Sequence, residues 1–278
     1  MRAAFPAPAL AAAFVLADKA AVLLCGPNEM PRKITALVLA AAKKAEIADG
    51  WARLGFTLDA SGDSIALADG VALDFFAPDD PAALGVEDLQ ARAFLTHFAA
   101  QRSGVALLAL NGDAEECRSA RPEPLGGADC FVKLAPLREM TAPTHANGVT
   151  GLKNLVAMAE NPAEHAELLA KLTGQREMLA TSAGLEIRLG GATRLDLLTA
   201  PAFAFRFGFA APDCSAFHIG GLVFAVANLD VTEKKLQLNG IATKHQAGRL
   251  VVGVVAGVAV AFEQAGDAIA LEKQGRVS

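Results

Sequence analysis

The sequence predicts an α+β fold built from tandem βαβββ modules. The first observation is a short phrase that occurs twice, as DGVALDFFAP at 69–78 and as GATRLDLLTAP at 191–201. Each copy has a glycine, a short alternating strand with an aspartate after a leucine, and a proline. The second observation is that the same order of strand, helix and strands surrounds each copy. Internal repetition of this length indicates a modular architecture.

The first module is expected to begin with the apolar strand ITALVLAA at 34–41. The helix-like stretch KKAEIADGWARLGF follows and is predicted to end at Gly55, because glycine readily takes the left-handed conformation that closes a helix. Residues 57–78 contain turn residues between short alternating runs, and they predict three further strands. The last of these strands carries Asp74.

The same order recurs twice in the second half of the chain. LKNLVAMA predicts a strand, and ENPAEHAELLAKLTG predicts a helix with Asn161 as N-cap, Pro162 at its first position and Gly174 at its end. Residues 178–198 predict three strands, the last carrying Asp196. HIGGLVFAVA then predicts another first strand, 228–240 a helix that ends at Gly240, and 241–264 three last strands.

Equal spacing supports the repeat. With the third residue of each first strand as reference, at Ala36, Asn154 and Gly221, the helix-ending glycines follow after 19, 20 and 19 residues. The matching last-strand residues follow after 38, 42 and 40. A degenerate copy is predicted between the first two, with a strand and helix in 103–120 and a strand in 129–137. We therefore expect an extension (1–32), two pairs of modules (33–144 and 145–266) and a tail (267–278).

A tandem βαβββ repeat of this length resembles the vicinal oxygen chelate superfamily, and within it the glyoxalase-like branch. The resemblance covers about 33–266, and its most specific part is the segment HANGVTG at 145–151. It implies that paired modules form open, curved mixed sheets, or half-barrels, with helices packed outside and a ligand held in the cleft. It also implies a divalent metal, bound by the third residue of a first strand and by a last-strand carboxylate.

Alternation along a strand sorts the side chains between the cleft and the opposite face. The cleft is then expected to hold Asp74, Asn154, Met158, Arg194 and Asp196. The metal positions depart from the family pattern, because Ala36, Asn154 and Gly221 stand on the first strands and Ala261 replaces a last-strand carboxylate. A catalytic metal takes about three imidazole, thiolate or carboxylate ligands. We therefore predict no metal, and the alternative ligand set is Asp196, His218 and Glu263.

Several candidate ligand-binding residues have a structural interpretation as well. Asp196 and Arg194 could form a structural pair, and Asp74 could be a polar residue at the mouth of the half-barrel. His145 lies in a turn-like segment and could either anchor that turn by a hydrogen bond or line the entrance of the cleft. His218 would reach the cleft site only if the register slipped, and Glu263 could be an acid or a charge on the rim.

Composition narrows the class of protein. A net charge of −5 without basic clusters argues against nucleic-acid binding, and no apolar run reaches the roughly 20 residues of a membrane span. Four scattered cysteines favour a reducing compartment, the cytoplasm. The paired glycines at 190–191 and 220–221 lack the context of a phosphate-binding loop.

Three functions remain open at this stage. The first is a glyoxalase-like protein that binds a small organic molecule in the cleft without the family's usual metal site. The second is a metal-dependent lyase, isomerase or dioxygenase of the vicinal oxygen chelate type. The third is a non-catalytic, self-associating module, and a homodimer is compatible with all three.

Overall fold

The computed structural model describes residues 31–79, 89–113, 115, 117, 123–125, 130–138, 140–212 and 217–266. The predicted extension, apart from its last two residues, and all of the tail beyond 266 lie outside the described residues. Two mixed sheets of six and eight strands make up the described part. No helix in this part is long and apolar enough to cross a membrane.

The first sheet has the strand order β2-β3-β1-β4-β6-β5. Its elements are β1 (Ile34–Ala40), α1 (Lys44–Arg53), β2 (Ser64–Ala66), β3 (Ala72–Phe76), α2 (Leu89–Gln101), β4 (Gly104–Asn111), β5 (Glu123–Leu125) and β6 (Cys130–Ala135). In each half, the first strand pairs parallel with the last one, β1 with β3 and β4 with β6. The two halves meet where β1 and β4 pair antiparallel.

The second sheet has the order β12-β13-β14-β11-β7-β10-β9-β8. Its first module comprises β7 (Val149–Met158), a 3-10 turn (Pro162–His165), α3 (Ala166–Thr173), β8 (Met178–Thr181), β9 (Gly184–Arg188) and β10 (Arg194–Leu198). Helix α4 (Ala200–Phe207) leads to the second module, with β11 (His218–Val226), α5 (Leu229–Leu238), β12 (Lys244–Gln246), β13 (Arg249–Val255) and β14 (Val258–Gln264). Again β7 pairs parallel with β10, and β11 with β14.

The predicted α+β fold of paired modules is confirmed, and so are the helix ends. Gly55, Gly174 and Gly240 have φ of 88°, 67° and 71°, the left-handed region in which glycine carries no Cβ penalty. The degenerate module forms strands β4 and β6 where the sequence predicts them. The helix expected between them lies largely outside the described residues.

Three local predictions were wrong. The first module has two strands after its helix rather than three. Residues 57–60 form a turn instead of a strand, because the Asp59 carboxylate accepts hydrogen bonds from the amides of Asp63 and Ser64. Asn161 makes no capping hydrogen bond, since its amide donates to Glu164 instead. Pro162 begins a 3-10 turn rather than the α-helix. Helix α4 lies outside the repeat pattern and was not predicted from the sequence.

The two faces of each sheet are distinct, as alternation predicts. We call the face that carries Asp74 in the first sheet and Asp196 in the second the cleft face. The opposite faces of both sheets share one large apolar core with Trp51 of α1 and Leu236 of α5. The cleft faces have separate apolar clusters, one with α2 and one with α4. Two helices therefore lie on the cleft side, in addition to the module helices on the other side.

The segment HANGVTG joins the two sheets. Nδ1 of His145 accepts from the amide of Thr57 at 3.1 Å, and Nε2 lies 3.1 Å from the carbonyl oxygen of Ala66. The buried amide of Asn147 donates to the carbonyl of Leu54 at 3.0 Å. A Cβ on Gly151 would lie 2.6 Å from the carboxylate of Asp69, which itself accepts from the amide of Leu152. The segment that carries the most specific sequence resemblance therefore holds the two sheets in contact.

Candidate functional site

Asp196 is the central polar residue on the cleft face of the second sheet. Strand β10 places it beside Val156 of β7, and its side chain is fully buried. Its Oδ2 accepts a hydrogen bond from Nδ2 of Asn154 at 2.8 Å and forms an ion pair with the guanidinium of Arg206. Its Oδ1 is buried and has no hydrogen-bond partner among the described residues. One oxygen of this buried carboxylate therefore lacks a hydrogen-bond donor among the described residues.

Helix α4 brings Arg206 to this site. Thr199 caps the helix by accepting from the amide of Ala202, and Gly208, with φ of 76°, ends it. Phe203 and Phe207 stack with ring centroids 4.5 Å apart and form the apolar side of the helix. These two side chains belong to the apolar cluster of the cleft face.

The glycine pair at 220–221 makes room for these rings. A Cβ on Gly220 would lie 2.6 Å from Cε of Met158, and one on Gly221 would lie 2.6 Å from Cζ of Phe207. The pair lies within β11 and not in a loop. The two glycines therefore leave room for the side chains of Met158 and Phe207 at the cleft face. This structural role agrees with the lack of a phosphate-loop signature in the sequence.

Arg194 extends the site toward solvent. Its guanidinium donates to Oδ1 of Asn154 at 3.3 Å and pairs with Glu186 of β9 at 3.3 Å. Because Asn154 accepts from Arg194 and donates to Asp196, its amide connects the two predicted cleft residues. Arg194 and Asp196 do not pair directly; each has its own opposite charge. Of the residues predicted from sequence, the structure brings Asn154, Arg194 and Asp196 together.

Met158 and His145 lie away from this polar group. Met158 is fully buried in the apolar cluster under α4. His145 lies at the junction of the sheets with Phe56, at a ring distance of 5.4 Å, and both of its nitrogens face backbone atoms. Burial lowers the pKa of His145, while the contact with Ala66 raises it. The turn-anchoring interpretation describes this geometry.

Asp74 has an environment of its own on the first sheet. It is 7% exposed, and Arg138, just after β6, donates to its carboxylate at 3.1 Å and 3.4 Å. Burial raises the pKa of Asp74, and the charges of Arg138 and Lys133 oppose that rise. Each of the repeated aspartates is thus paired with an arginine from outside its own strand.

The alternative metal set does not assemble. Glu263 lies beside Ala225 on the neighbouring strand, whereas His218 lies seven residues earlier on that strand, about 23 Å away at the rise of a β-strand. Burial opposes ionisation of Glu263, but hydrogen bonds from Lys153 and Arg249 hold its pKa below the usual range. His218 is buried at the opposite end of the strand, level with Met158. Asp196, His218 and Glu263 therefore cannot share one ion in this arrangement.

The residues at the metal positions do not fit a divalent cation. The first strands offer Ala36, Asn154 and Gly221, and the described residues contain no group of three histidine, cysteine, aspartate or glutamate side chains that could hold a metal. At the one buried carboxylate of the second sheet, the positive charge is supplied by Arg206. Within the ranges that the structure describes, these positions therefore supply no donor set for a divalent metal.

Sequence reasoning missed Arg206, Arg138 and Lys133. Arg206 is the lone charge in the aromatic segment APAFAFRF, and Lys133 is the lone charge in the strand CFVKLA. A single charge inside an apolar element is a usable signal, because burying it requires a partner. Arg138 follows its strand without any pattern that would indicate its position.

The comparisons with known proteins agree with this fold. No protein-family model matches the sequence, and no curated protein matches it. Among solved structures, a mutant of 4-hydroxymandelate synthase from Streptomyces coelicolor is similar, with a TM-score of 0.53, 13% identity, and 85% of this chain and 93% of that chain covered. BphC, a halotolerant catechol dioxygenase, matches with a TM-score of 0.50, 10% identity, and coverage of 85% and 87%.

A third similar structure is a xylose isomerase-like TIM barrel/4-hydroxyphenylpyruvate dioxygenase fusion protein, with a TM-score of 0.54 and 11% identity. The match covers 90% of this chain but only 53% of that one, so the chain spans about half of the fusion protein. All three are proteins of the vicinal oxygen chelate superfamily. The predicted vicinal oxygen chelate fold is therefore confirmed, and at these identities the likeness concerns the fold.

Proposed function

We propose that this protein binds a small organic molecule at Asp196 on the cleft face of the second sheet, without the metal of its fold family. The observation that carries the proposal is the state of the Asp196 carboxylate. Its Oδ2 is neutralised by Arg206 and bonded by Asn154, while its buried Oδ1 lacks a partner among the described residues. A buried acceptor without a partner is costly, and a ligand hydroxyl or amine would satisfy it.

The surroundings favour a ligand with an acidic group as well as a donor. Arg194 and Arg206 are partly exposed, at 32% and 24%, so their guanidinium groups remain accessible beside the buried carboxylate. Guanidinium binds carboxylates through paired hydrogen bonds. The names of the similar structures mention 4-hydroxymandelate, 4-hydroxyphenylpyruvate and catechol, and the first two are aromatic hydroxy compounds with a carboxylate. We take hydroxylated aromatic acids as the ligand class.

The first test combines metal analysis with calorimetry on untagged protein. We expect substoichiometric zinc, manganese, iron and nickel after purification, and binding of 4-hydroxymandelate in the presence of a chelator. Asp196→Asn should weaken that binding at least about tenfold, the value of one hydrogen bond to a charged group. Glu167→Gln, on the exposed face of α3, is the matched control and should bind as the wild type does.

The alternatives predict other outcomes. A stoichiometric metal that is lost in Asp196→Asn would support the metal-dependent lyase, isomerase or dioxygenase and contradict the proposal. A defined homodimer that binds neither 4-hydroxymandelate nor catechol would support the self-associating module instead. A cytoplasmic location, expected from the scattered cysteines, is part of the proposal.

A further inference from the structure

Helix α4 covers the cleft face at the place where the ligand is proposed to bind. Phe203 and Phe207 of this helix form one buried apolar cluster with Val156 and Val223 of the sheet. The Asp196 carboxylate pairs with the same helix, and its side chain is fully buried. A ligand therefore reaches the unpaired oxygen of this carboxylate only when α4 moves.

The apolar contacts of α4 are separate from the core that the two sheets share. That core lies on the opposite faces of the sheets and contains buried side chains of the module helices, such as Trp51 and Leu236. The cluster with α4 lies on the cleft face and includes neither of them. Movement of α4 would uncover this one cluster and leave the shared core packed. Such an arrangement permits local opening at a lower free energy than global unfolding.

The polar contacts of α4 lie near its C-terminal end. The Arg206 guanidinium pairs with the carboxylate of Asp196, and the guanidinium side is 24% exposed. The side-chain amide of Gln246 donates to the carbonyl oxygen of Phe205 at 2.7 Å, while the ring of Phe205 is 71% exposed. The helix is thus held at this end by contacts that water can reach, and Gly208 ends it with φ of 76°.

The closed position of α4 leaves a buried polar atom without a partner. Oδ2 of Asp196 accepts from Asn154 and Arg206, but its Oδ1 has no hydrogen-bond partner among the described residues. An unpaired buried acceptor is costly, and displacement of α4 would expose it to water or to a ligand donor. The cost falls on the closed position alone, so it offsets part of what the apolar contacts of α4 contribute.

We propose that α4 is a releasable cover, which closes the Asp196 site in the free protein and is displaced when the ligand binds. The inference rests on the proposed function, because it takes Asp196 as the residue that the ligand contacts. The Arg206–Asp196 ion pair holds the cover closed. When α4 moves, Arg206 leaves with it, whereas Arg194 stays on the cleft face of β10 and binds the acidic group of the ligand.

Amide hydrogen exchange of the full-length protein tests the cover without any ligand. Helix α3 is the matched reference, because it also has eight residues and ends at a left-handed glycine, yet it packs on the shared core through Leu169. We expect the α4 amides to exchange at least about tenfold faster than those of α3, with a weak dependence on urea. Arg206→Met should accelerate α4 exchange at least about tenfold further and leave α3 unchanged. Lys171→Met, on the exposed surface of α3, should alter neither helix.

Binding of 4-hydroxymandelate provides the second arm. A ligand that displaces α4 should increase the exchange of the α4 amides at saturation, whereas a ligand bound beside a closed helix would protect them. Phe207→Ala should tighten binding by about threefold or more, because it weakens the closed position and raises the fraction of open protein. Phe207→Leu should act in the same direction. Leu169→Ala, which removes a buried side chain from α3, is the control and should leave the affinity unchanged.

Two results would overturn the cover. One is exchange of the α4 amides through global unfolding alone, with the same urea dependence as the amides of β10. The other is protection of α4 by 4-hydroxymandelate. If 4-hydroxymandelate binds to neither the wild type nor Phe207→Ala, the proposed function fails at this site. Local opening of α4 that responds to Arg206→Met would still support the cover in that case, so the two proposals succeed or fail separately.

Discussion

Replacement of Arg206 by methionine tests whether this arginine supplies the positive charge at Asp196. Methionine replaces the apolar stem of arginine but lacks the guanidinium group, so it leaves a fully buried carboxylate with one hydrogen bond from the described residues, that of Asn154. Loss of one partner of a buried ion pair costs about 3–5 kcal/mol. Because Arg206 is 24% exposed, water can reach part of the vacated space, and we expect the free energy of unfolding to fall by about 2–3 kcal/mol.

A double-mutant cycle separates this electrostatic effect from lost packing. Asp196→Asn removes the buried charge, so the double variant Asp196→Asn/Arg206→Met should recover at least half of the loss. Urea unfolding can be followed by the fluorescence of Trp51, the single tryptophan, which is buried in the shared core. Arg188→Met is the control, because Arg188 is exposed on β9 and should change stability by less than about 0.5 kcal/mol.

Two results would refute the reasoning. One is an Arg206→Met variant as stable as the wild type, which would mean that the carboxylate needs no cation. The other is a double variant whose loss equals the sum of the two single losses, because independent residues add. Either result would also remove the electrostatic support for a site without a metal.

Three further predictions concern single residues. Gly221→Ala should destabilise the protein by about 1–3 kcal/mol in thermal unfolding, since its Cβ would lie 2.6 Å from Phe207. Phe207→Leu in the same chain should restore part of the lost stability, and additive losses would contradict the contact. Gly240→Ala should cost about 1 kcal/mol in urea unfolding through φ alone, since nothing lies within 4 Å, and no effect would argue against the left-handed helix end. Burial lowers the pKa of His145, so its contribution to stability is present above the unfolded value of about 6.5 and is lost as the pH falls below it. The difference in unfolding free energy between the wild type and His145→Gln should therefore shrink from pH 7.5 to pH 5, and a constant difference would contradict the assignment.

The cleft residues show where sequence reasoning succeeded. Strand alternation placed Asp74, Asn154 and Asp196 on one face, and the structure confirms that placement, because side-chain direction in a strand depends only on parity. The residue types at the expected metal positions, Ala36, Asn154 and Gly221, could also be taken directly from the sequence. The partners Arg206 and Arg138 were not, because both come from segments outside the repeat and reach the aspartates only through the fold.

Strand register explains why the residues of the alternative metal set lie apart in this structure. His218 and Glu263 were candidates by residue type, and the sequence alone left their separation open. The parallel pairing of β11 with β14 puts them at different levels of the sheet.

The sequence by itself determined the modules, their order, the helix ends at Gly55, Gly174 and Gly240, and the face of each strand. These features follow from local periodicity and from backbone preferences, which act over a few neighbouring residues. Only the tertiary structure decided that α2 and α4 cover the cleft faces, that arginines pair with both repeated aspartates, and that His145 joins the sheets. Those outcomes depend on contacts between residues far apart in the chain, such as Thr57 and His145, and local sequence carries no record of which distant groups will meet.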